Sequence, residues 1–129
     1  MLDTNAYAAF MRGVRAIAAD IADADEILLP MPVVAELRCG FAAGTREREN
    51  LDLLGKFLDS SRVRTHPVTE RTVLHYVHAW RALRKAGTPI PYNDLWIAAC
   101  ALETGSELAT DDRHFLVVPG LIVSGIVRP

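Results

Sequence analysis

The chain alternates between short apolar runs and longer segments in which apolar residues recur at helical spacing. Buried strands are predicted at Leu2 and over residues 26–29, 62–66, 107–110 and 121–124. Helices are predicted over residues 6–19, from Pro30 or Pro32 to Gly40 or Gly44, over residues 45–58 and 69–87, and from a cap at Tyr92 or Asn93 to Gly105. This alternation predicts an α/β fold, a three-layer sandwich with a mostly parallel central sheet flanked by helices.

The composition agrees with a single globular domain over residues 1–129. Half of the residues are hydrophobic (50%) and 23% are charged, so the chain can bury a full core and intrinsic disorder is excluded. A formal net charge of -2 excludes a uniformly basic nucleic-acid-binding protein. No apolar run approaches the roughly 18 to 20 residues of a membrane span, and residues 1–20 lack the apolar centre of a signal peptide. We therefore expect a cytoplasmic protein with no membrane association.

Acidic residues follow two of the predicted strands. Asp3 comes directly after Leu2, and Asp111 and Asp112 come directly after the strand over residues 107–110. Because parallel sheets bind ligands at the carboxyl ends of their strands, these side chains are expected at one functional edge. Taken singly, Asp3 has an equally good explanation as a helix cap, and the pair 111–112 as a polar turn.

Two more acids are predicted close to that edge. Asp94 falls in the first turn of its helix, where the helix dipole favours a carboxylate. Glu36 lies on a helix that is otherwise apolar, with Gly40 one turn further along the same face. Asp94 alone has a simple explanation as a cap, and Glu36 as a solvated surface acid. Four acids together favour a shared site.

Such a cluster is expected to bind a cation. Two carboxylates about 4 Å apart repel by roughly 4 kcal/mol at an effective dielectric near 20, and a bound divalent ion relieves this repulsion. Cys39 and Cys100 form no zinc motif, and a donor set made only of oxygen atoms favours Mg²⁺ or Mn²⁺ over Zn²⁺. These ions activate water and stabilise charge on phosphate, so phosphodiester hydrolysis is the predicted chemistry.

Four segments together resemble a known family. They are residues 2–5 (LDTN), residues 35–37 (AEL) with Gly40, residues 93–99 (NDLWIAA) and residues 110–115 (TDDRHF). In order and spacing, over nearly the whole chain, they resemble the PIN-domain ribonucleases and are similar to the VapC toxins of bacterial toxin-antitoxin pairs. The resemblance implies a parallel sheet in strand order 3-2-1-4-5 and metal-dependent cleavage of RNA.

The resemblance also implies roles for individual residues. The four catalytic and metal-binding acids would be Asp3, Glu36, Asp94 and Asp112. Asn5 and Thr110 match positions that orient the acids, Asp111 is the uncertain neighbour of Asp112, and Arg113 is the best candidate for an RNA contact. With Mg²⁺ or Mn²⁺ bound, water would attack a phosphodiester in line and leave a 5′-phosphate and a 3′-hydroxyl.

Partners follow from the same resemblance. A cognate antitoxin would cover an apolar groove and hold the enzyme inactive, and a homodimer is expected within the toxin-antitoxin complex. Apolar residues of the first helices, namely Tyr7, Phe10, Met11 and Phe41, are candidates for that groove or for a dimer interface.

Two alternative functions without ribonuclease activity are also compatible with the sequence. A receiver-like signalling module also gathers acids at strand ends, but it uses a late-strand lysine, and the only lysines here are Lys56 and Lys85. A PIN fold that serves only as a binding or regulatory module is less favoured, because all four acids are present.

Overall fold

The computed structural model describes residues 1–125, so the last four residues of the predicted domain lie outside this range. Its helices are α1 (Thr4–Met11), α2 (Arg15–Asp23), α3 (Met31–Ala43), α4 (Glu47–Leu58), α5 (Glu70–Ala86) and α6 (Tyr92–Thr104), with a short 3-10 helix at Arg113–Val117. Its strands are β1 (Ile27–Pro30), β2 (Val63–His66), β3 (Leu108–Ala109) and β4 (Val123–Ser124). Among residues 1–125, no helix has both the length and the apolar character that a membrane span requires.

The strands form parallel pairs that Leu2 joins into one layer. β1 pairs with β2, and β3 pairs with β4, both in parallel register. Leu2 forms a parallel bridge to Ala109 of β3, and its N–H donates to the carbonyl oxygen of Leu28 in β1 at 3.0 Å. Numbered along the chain with Leu2 as the first strand, the order is 3-2-1-4-5. The predicted α/β class and the strand order that the family resemblance implied are therefore confirmed.

The core lies between this sheet and the helices, and it anchors the segments that carry the acids. α6 buries Leu95 and every residue from 97 to 101, so it is apolar on nearly all sides and packs mainly against α5. In the 3-10 helix Phe115 is 1% exposed, directly after two polar positions. The polar residues just before these buried side chains are therefore held by rigid packing.

The predicted helix over residues 6–19 is wrong, because the structure divides it in two. α1 ends at Met11 and α2 starts at Arg15. Between them Gly13 has a φ of 78°, a left-handed conformation that interrupts a helix and that glycine adopts without steric cost.

Two further expectations about these elements need correction. Tyr7, predicted to line an exposed groove, is buried and its ring packs edge-on against Phe57 with the centroids 5.2 Å apart. Neither Tyr92 nor Asn93 caps α6, since the cap position is Pro91 and both residues are inside the helix. The side chain of Asn93 is consequently free to bond elsewhere.

Candidate metal centre

Asp3 is fixed at the junction between the sheet and α1. It is the N-cap of that helix, where its Oδ1 accepts a hydrogen bond from the N–H of Ala6 at 2.7 Å. Its other carboxylate oxygen accepts a hydrogen bond from the hydroxyl of Thr110, just beyond β3. Asp3 is only 3% exposed, so both bonds form in a largely water-free environment. Asp3 can therefore cap α1 with one carboxylate oxygen and still belong to the acidic site.

The Thr110 hydroxyl connects Asp3 to the second acidic segment. While it donates to Asp3, its oxygen accepts the backbone N–H of Asp112 at 2.9 Å. Asp112 in turn caps the 3-10 helix, with its Oδ1 accepting the N–H of His114 at 2.9 Å. One buried hydroxyl therefore sets the relative positions of two acids that lie far apart in the sequence.

Asp94 meets this segment through an imidazole. Nδ1 of His114 lies 3.1 Å from Oδ2 of Asp94 and 3.2 Å from Oδ1 of Asp112. One ligand atom from each of these three residues lies within 4.8 Å of the other two. Carboxylate oxygens and an imidazole nitrogen are ordinary ligands of divalent cations, so this triad fits a metal ion.

Glu36 reaches the same region from α3. Its side chain is exposed, and its Oε2 accepts a hydrogen bond from the side-chain amide of Asn93. Asn93 directly precedes Asp94 in the first turn of α6, so this bond places the Glu36 carboxylate beside Asp94. The structure therefore gathers all four predicted acids, with Asp94 and Asp112 in the triad, and with Asp3 and Glu36 tied to it through Thr110 and Asn93.

The electrostatics agree with acids that crowd one another. Burial raises the pKa of Asp3 to about 6, with Asp111 and Asp112 adding to the rise and hydrogen bonds from Thr110 and Ala6 opposing it. Burial also raises the pKa of Asp94; the hydrogen bond from His114 opposes this rise, while the charges of Asp112 and Glu36 reinforce it. A nearby cation would stabilise the ionised forms of these two carboxylates.

Three other predicted residues have less defined surroundings. Asn5 is exposed on the first turn of α1, and within residues 1–125 no side-chain hydrogen bond links it to the acids. Asp111 is exposed, but its charge is close enough to raise the pKa of Asp3. Arg113 is exposed at the start of the 3-10 helix, between Asp112 and His114.

Sequence reasoning missed two residues of the site. The donor set was expected to contain only oxygen, whereas His114 brings a nitrogen atom between Asp94 and Asp112. The sequence predicts a cap at Tyr92 or Asn93, whereas the side-chain amide of Asn93 donates to Glu36. The spacing of Asp112 and His114 was the available signal, because an aspartate that caps a turn commonly bonds to the residue two positions on.

Comparison with known proteins identifies the family. The model of the PIN domain matches residues 1–121, which include every residue of the site. This chain belongs to the PIN-domain family. Among its relatives in the family, Ribonuclease VapC1 of Haemophilus influenzae strain R2866 is 33% identical over 114 residues, which are 85% of this chain and 84% of that protein. Ribonuclease VapC5 of Mycobacterium tuberculosis is 27% identical over 128 residues, 99% of this chain and 93% of that protein.

A similar solved structure gives the same result for the fold. The crystal structure of VapBC2 from Rickettsia felis, bound to a DNA fragment from their promoter, matches with a TM-score of 0.84 and 26% identity, covering 96% of each chain. The likeness to PIN-domain VapC proteins that the four sequence segments carried is confirmed.

Proposed function

We propose that this PIN-domain protein is a divalent-metal-dependent endoribonuclease that acts as the toxin of a toxin-antitoxin pair. The observation that carries the proposal is the connected cluster of the four acids, in which Asp94 and Asp112 both contact His114. Asn93 holds Glu36 beside Asp94, and Thr110 links Asp3 to Asp112. Relatives similar over most of their length are named ribonucleases, which identifies RNA as the substrate class to test.

The metal would be held by Asp3, Glu36, Asp94 and Asp112, with Mg²⁺ or Mn²⁺ as the ion. Bound there, a divalent ion supplies a more acidic water and stabilises negative charge on phosphate. The raised pKa of Asp3 and of Asp94 supports this assignment, since each carboxylate is poorly stabilised by the protein alone.

The remaining residues of the site position groups or neutralise charge. Thr110 holds the Asp3 carboxylate and the backbone of Asp112 in fixed relation. Arg113 is exposed and lies between Asp112 and His114 in the chain, so its guanidinium would be available to pair with an RNA phosphate. Asn5 and Asp111 belong to the polar surroundings of the cluster, as positions that orient the acids or modulate their charge.

The partners in this proposal are a cognate antitoxin and a second copy of the chain. The similar solved structure from Rickettsia felis is a VapBC complex bound to promoter DNA, which supports a protein partner of the antitoxin class. Phe10 and Phe41 are half-buried and Met11 is 39% exposed, so these three residues are candidates for the apolar contact surface. Tyr7 is not, because it is buried. The proposed location is the cytoplasm.

The test is cleavage of end-labelled structured and unstructured RNAs by purified protein free of antitoxin. We expect cleavage with Mg²⁺ or Mn²⁺ and none with EDTA, and products with a 5′-phosphate and a 3′-hydroxyl. Asp3→Ala protein, purified in parallel, is expected to be inactive. Cleavage that persists in EDTA, or that Asp3→Ala carries out at the native rate, would contradict metal-dependent cleavage at this site. If no RNA is cut while the protein still binds metal, a PIN fold with only a binding role is favoured.

A further inference from the structure

The position of His114 relative to two acids carries an inference beyond the four-carboxylate site. Its Nδ1 lies 3.1 Å from Asp94 Oδ2 and 3.2 Å from Asp112 Oδ1. Neighbouring ligands of a six-coordinate ion, each about 2.1 Å from the metal, are about 3 Å apart. The two distances therefore match the spacing of adjacent ligands around one ion. Since it assumes that the acids bind a cation, the inference rests on the proposed function.

We propose that His114 is a nitrogen ligand of the metal ion, together with Asp94 and Asp112, and that it gives the site a preference for Mn²⁺ over Mg²⁺.

The backbone of His114 is fixed next to the acids. Its N–H donates to the Asp112 carboxylate at 2.9 Å, and the following residue, Phe115, is anchored in the core. The side chain itself is 53% exposed, so burial of the ring does not explain its orientation toward two carboxylates. A neutral imidazole with its proton on Nε2 presents the Nδ1 lone pair to a cation, and this is the tautomer that ligation requires.

A nitrogen ligand changes which ions the site favours. Mg²⁺ strongly prefers oxygen ligands and retains bound water, whereas first-row transition ions gain affinity from imidazole. With carboxylates alone the site would distinguish Mg²⁺ from Mn²⁺ weakly. The single imidazole predicts tighter binding of Mn²⁺ without a comparable gain for Mg²⁺.

A purely positioning role is the alternative explanation of the same contacts. In that case Nδ1 carries the proton and donates it to Asp94, and the ring orients the carboxylate from outside the metal shell. Both roles weaken cleavage when His114 is replaced, so activity alone does not separate them. A spectroscopic test of direct nitrogen ligation does.

The experiment is pulsed electron paramagnetic resonance of Mn²⁺ bound to the full chain, combined with Mn²⁺ titration and Mg²⁺ competition. We expect nitrogen hyperfine coupling from a directly bound imidazole in the native protein. His114→Gln is expected to abolish this coupling and to raise the Mn²⁺ Kd at least about tenfold, while the Mg²⁺ Kd changes less than about threefold. His78→Gln, a substitution of an exposed histidine on α5, serves as the matched control. It is expected to leave the nitrogen coupling and both Kd values unchanged.

The outcomes separate this inference from the proposed function. Mn²⁺ that binds in an Asp94-dependent manner but shows no nitrogen coupling overturns the ligand role of His114 and leaves the acidic site intact. An equal loss of Mn²⁺ and Mg²⁺ affinity in His114→Gln also overturns it, in favour of a positioning role. If the native protein binds neither ion, both the inference and the proposed metal site fail.

Discussion

The Thr110 hydroxyl is shared between two acids that come from different parts of the chain. It donates to the Asp3 carboxylate and accepts the N–H of Asp112, and Thr110 itself is fully buried. A buried hydroxyl with both functions engaged leaves two unsatisfied groups when it is removed.

Replacing Thr110 with valine preserves the shape of the side chain and removes both hydrogen bonds. We expect Thr110→Val to lower the free energy of unfolding by about 1 to 3 kcal/mol, measured by urea denaturation in EDTA near neutral pH. Thr110→Ser retains the hydroxyl and is the matched control, expected to lose less stability than the valine variant. A valine variant that is as stable as the native protein would contradict a stabilising role for the two hydrogen bonds of the hydroxyl.

Replacing Asp94 is expected to stabilise the metal-free protein, in contrast to replacing Thr110. Because its native pKa is raised, chiefly by burial and further by Asp112 and Glu36, the ionised carboxylate destabilises the metal-free fold. This destabilisation is absent when the pH is below the ordinary aspartate pKa, and it is complete when the pH is above the raised native pKa. Asp94→Asn should therefore be as stable as the native protein in acid and more stable near neutral pH. Thermal unfolding in EDTA over that pH range checks it, and a large drop in Tm would assign Asp94 a structural capping role.

At the level of residues, the sequence identified the acids better than their partners. Asp3, Asp94 and Asp112 occupy strand ends and helix starts, and simple rules about parallel sheets and helix dipoles cover those positions. The contacts of Asn93 and His114 depend on the exact residue at which α6 and the 3-10 helix begin. Local propensity does not fix element boundaries at that resolution, so their contacts could not be predicted.

A partly buried polar network joins three elements on another part of the molecule. Nε2 of His66, at the end of β2, lies 2.8 Å from Oε2 of Glu103 in α6. The hydroxyl of Thr72 in α5 donates to the same oxygen at 2.7 Å. Burial alone would raise the pKa of Glu103, but the hydrogen bonds from Thr72 and His66 and the nearby charges of His66 and His75 lower it. The network therefore stabilises the ionised Glu103 and ties β2 and α5 to the helix that carries Asp94.

Glu103→Gln is expected to lower the free energy of unfolding by about 1 to 3 kcal/mol near neutral pH, because the charge-assisted bonds are lost. A carboxylate whose native pKa is lowered contributes stability above its unfolded pKa, and this contribution disappears as the pH falls through the native value. The difference between variant and native protein should consequently shrink in acid. Glu49→Gln, at an exposed position of α4, is the control and should stay within about 0.5 kcal/mol of the native protein. A difference that does not depend on pH would contradict this role for Glu103.

Helices and strands were largely predictable because apolar periodicity and the glycine and proline signals agree along most of the chain. The prediction failed at Gly13, where apolar spacing continues through a residue that the backbone uses to turn. Trp80 of α5, which also lies at helical spacing among apolar residues, is 38% exposed, and the Arg84 guanidinium lies 5.2 Å from its ring centroid. A regular apolar stripe does not tell how many of its positions the neighbouring elements cover.

At the scale of the whole molecule, the parallel sheet brings the start of the chain beside its last third. Leu2 pairs with Ala109, so Asp3 and Thr110 leave the sheet at the same edge. This juxtaposition was predictable only in general terms, since the strand order came from the family resemblance and not from the pattern of the strands. The exact partners of each acid required the packed structure.

The buried Asp3 should couple metal binding to proton release. With a pKa of about 6 in the metal-free protein, Asp3 is partly protonated in mildly acidic solution, and a cation must displace that proton. We expect Mn²⁺ affinity to fall as the pH drops through about 6, with protons released from Asp3 and from Asp94, whose pKa is also raised. Calorimetric titration in buffers of different ionisation enthalpy measures this release. Affinity that is constant across this range would exclude Asp3 from the metal site.

Whether the acidic cluster catalyses RNA cleavage is tested by the rate at which the native protein and Asp94→Asn cut RNA in the presence of Mn²⁺. Circular dichroism verifies that each protein is folded. Asp52→Asn, at an exposed position of α4 outside the cluster, is the matched control. We expect Asp94→Asn to cleave at least about a hundredfold more slowly than the native protein, while Asp52→Asn retains the native rate. Equal cleavage by all three proteins would contradict the claim that this acidic cluster is the catalytic centre.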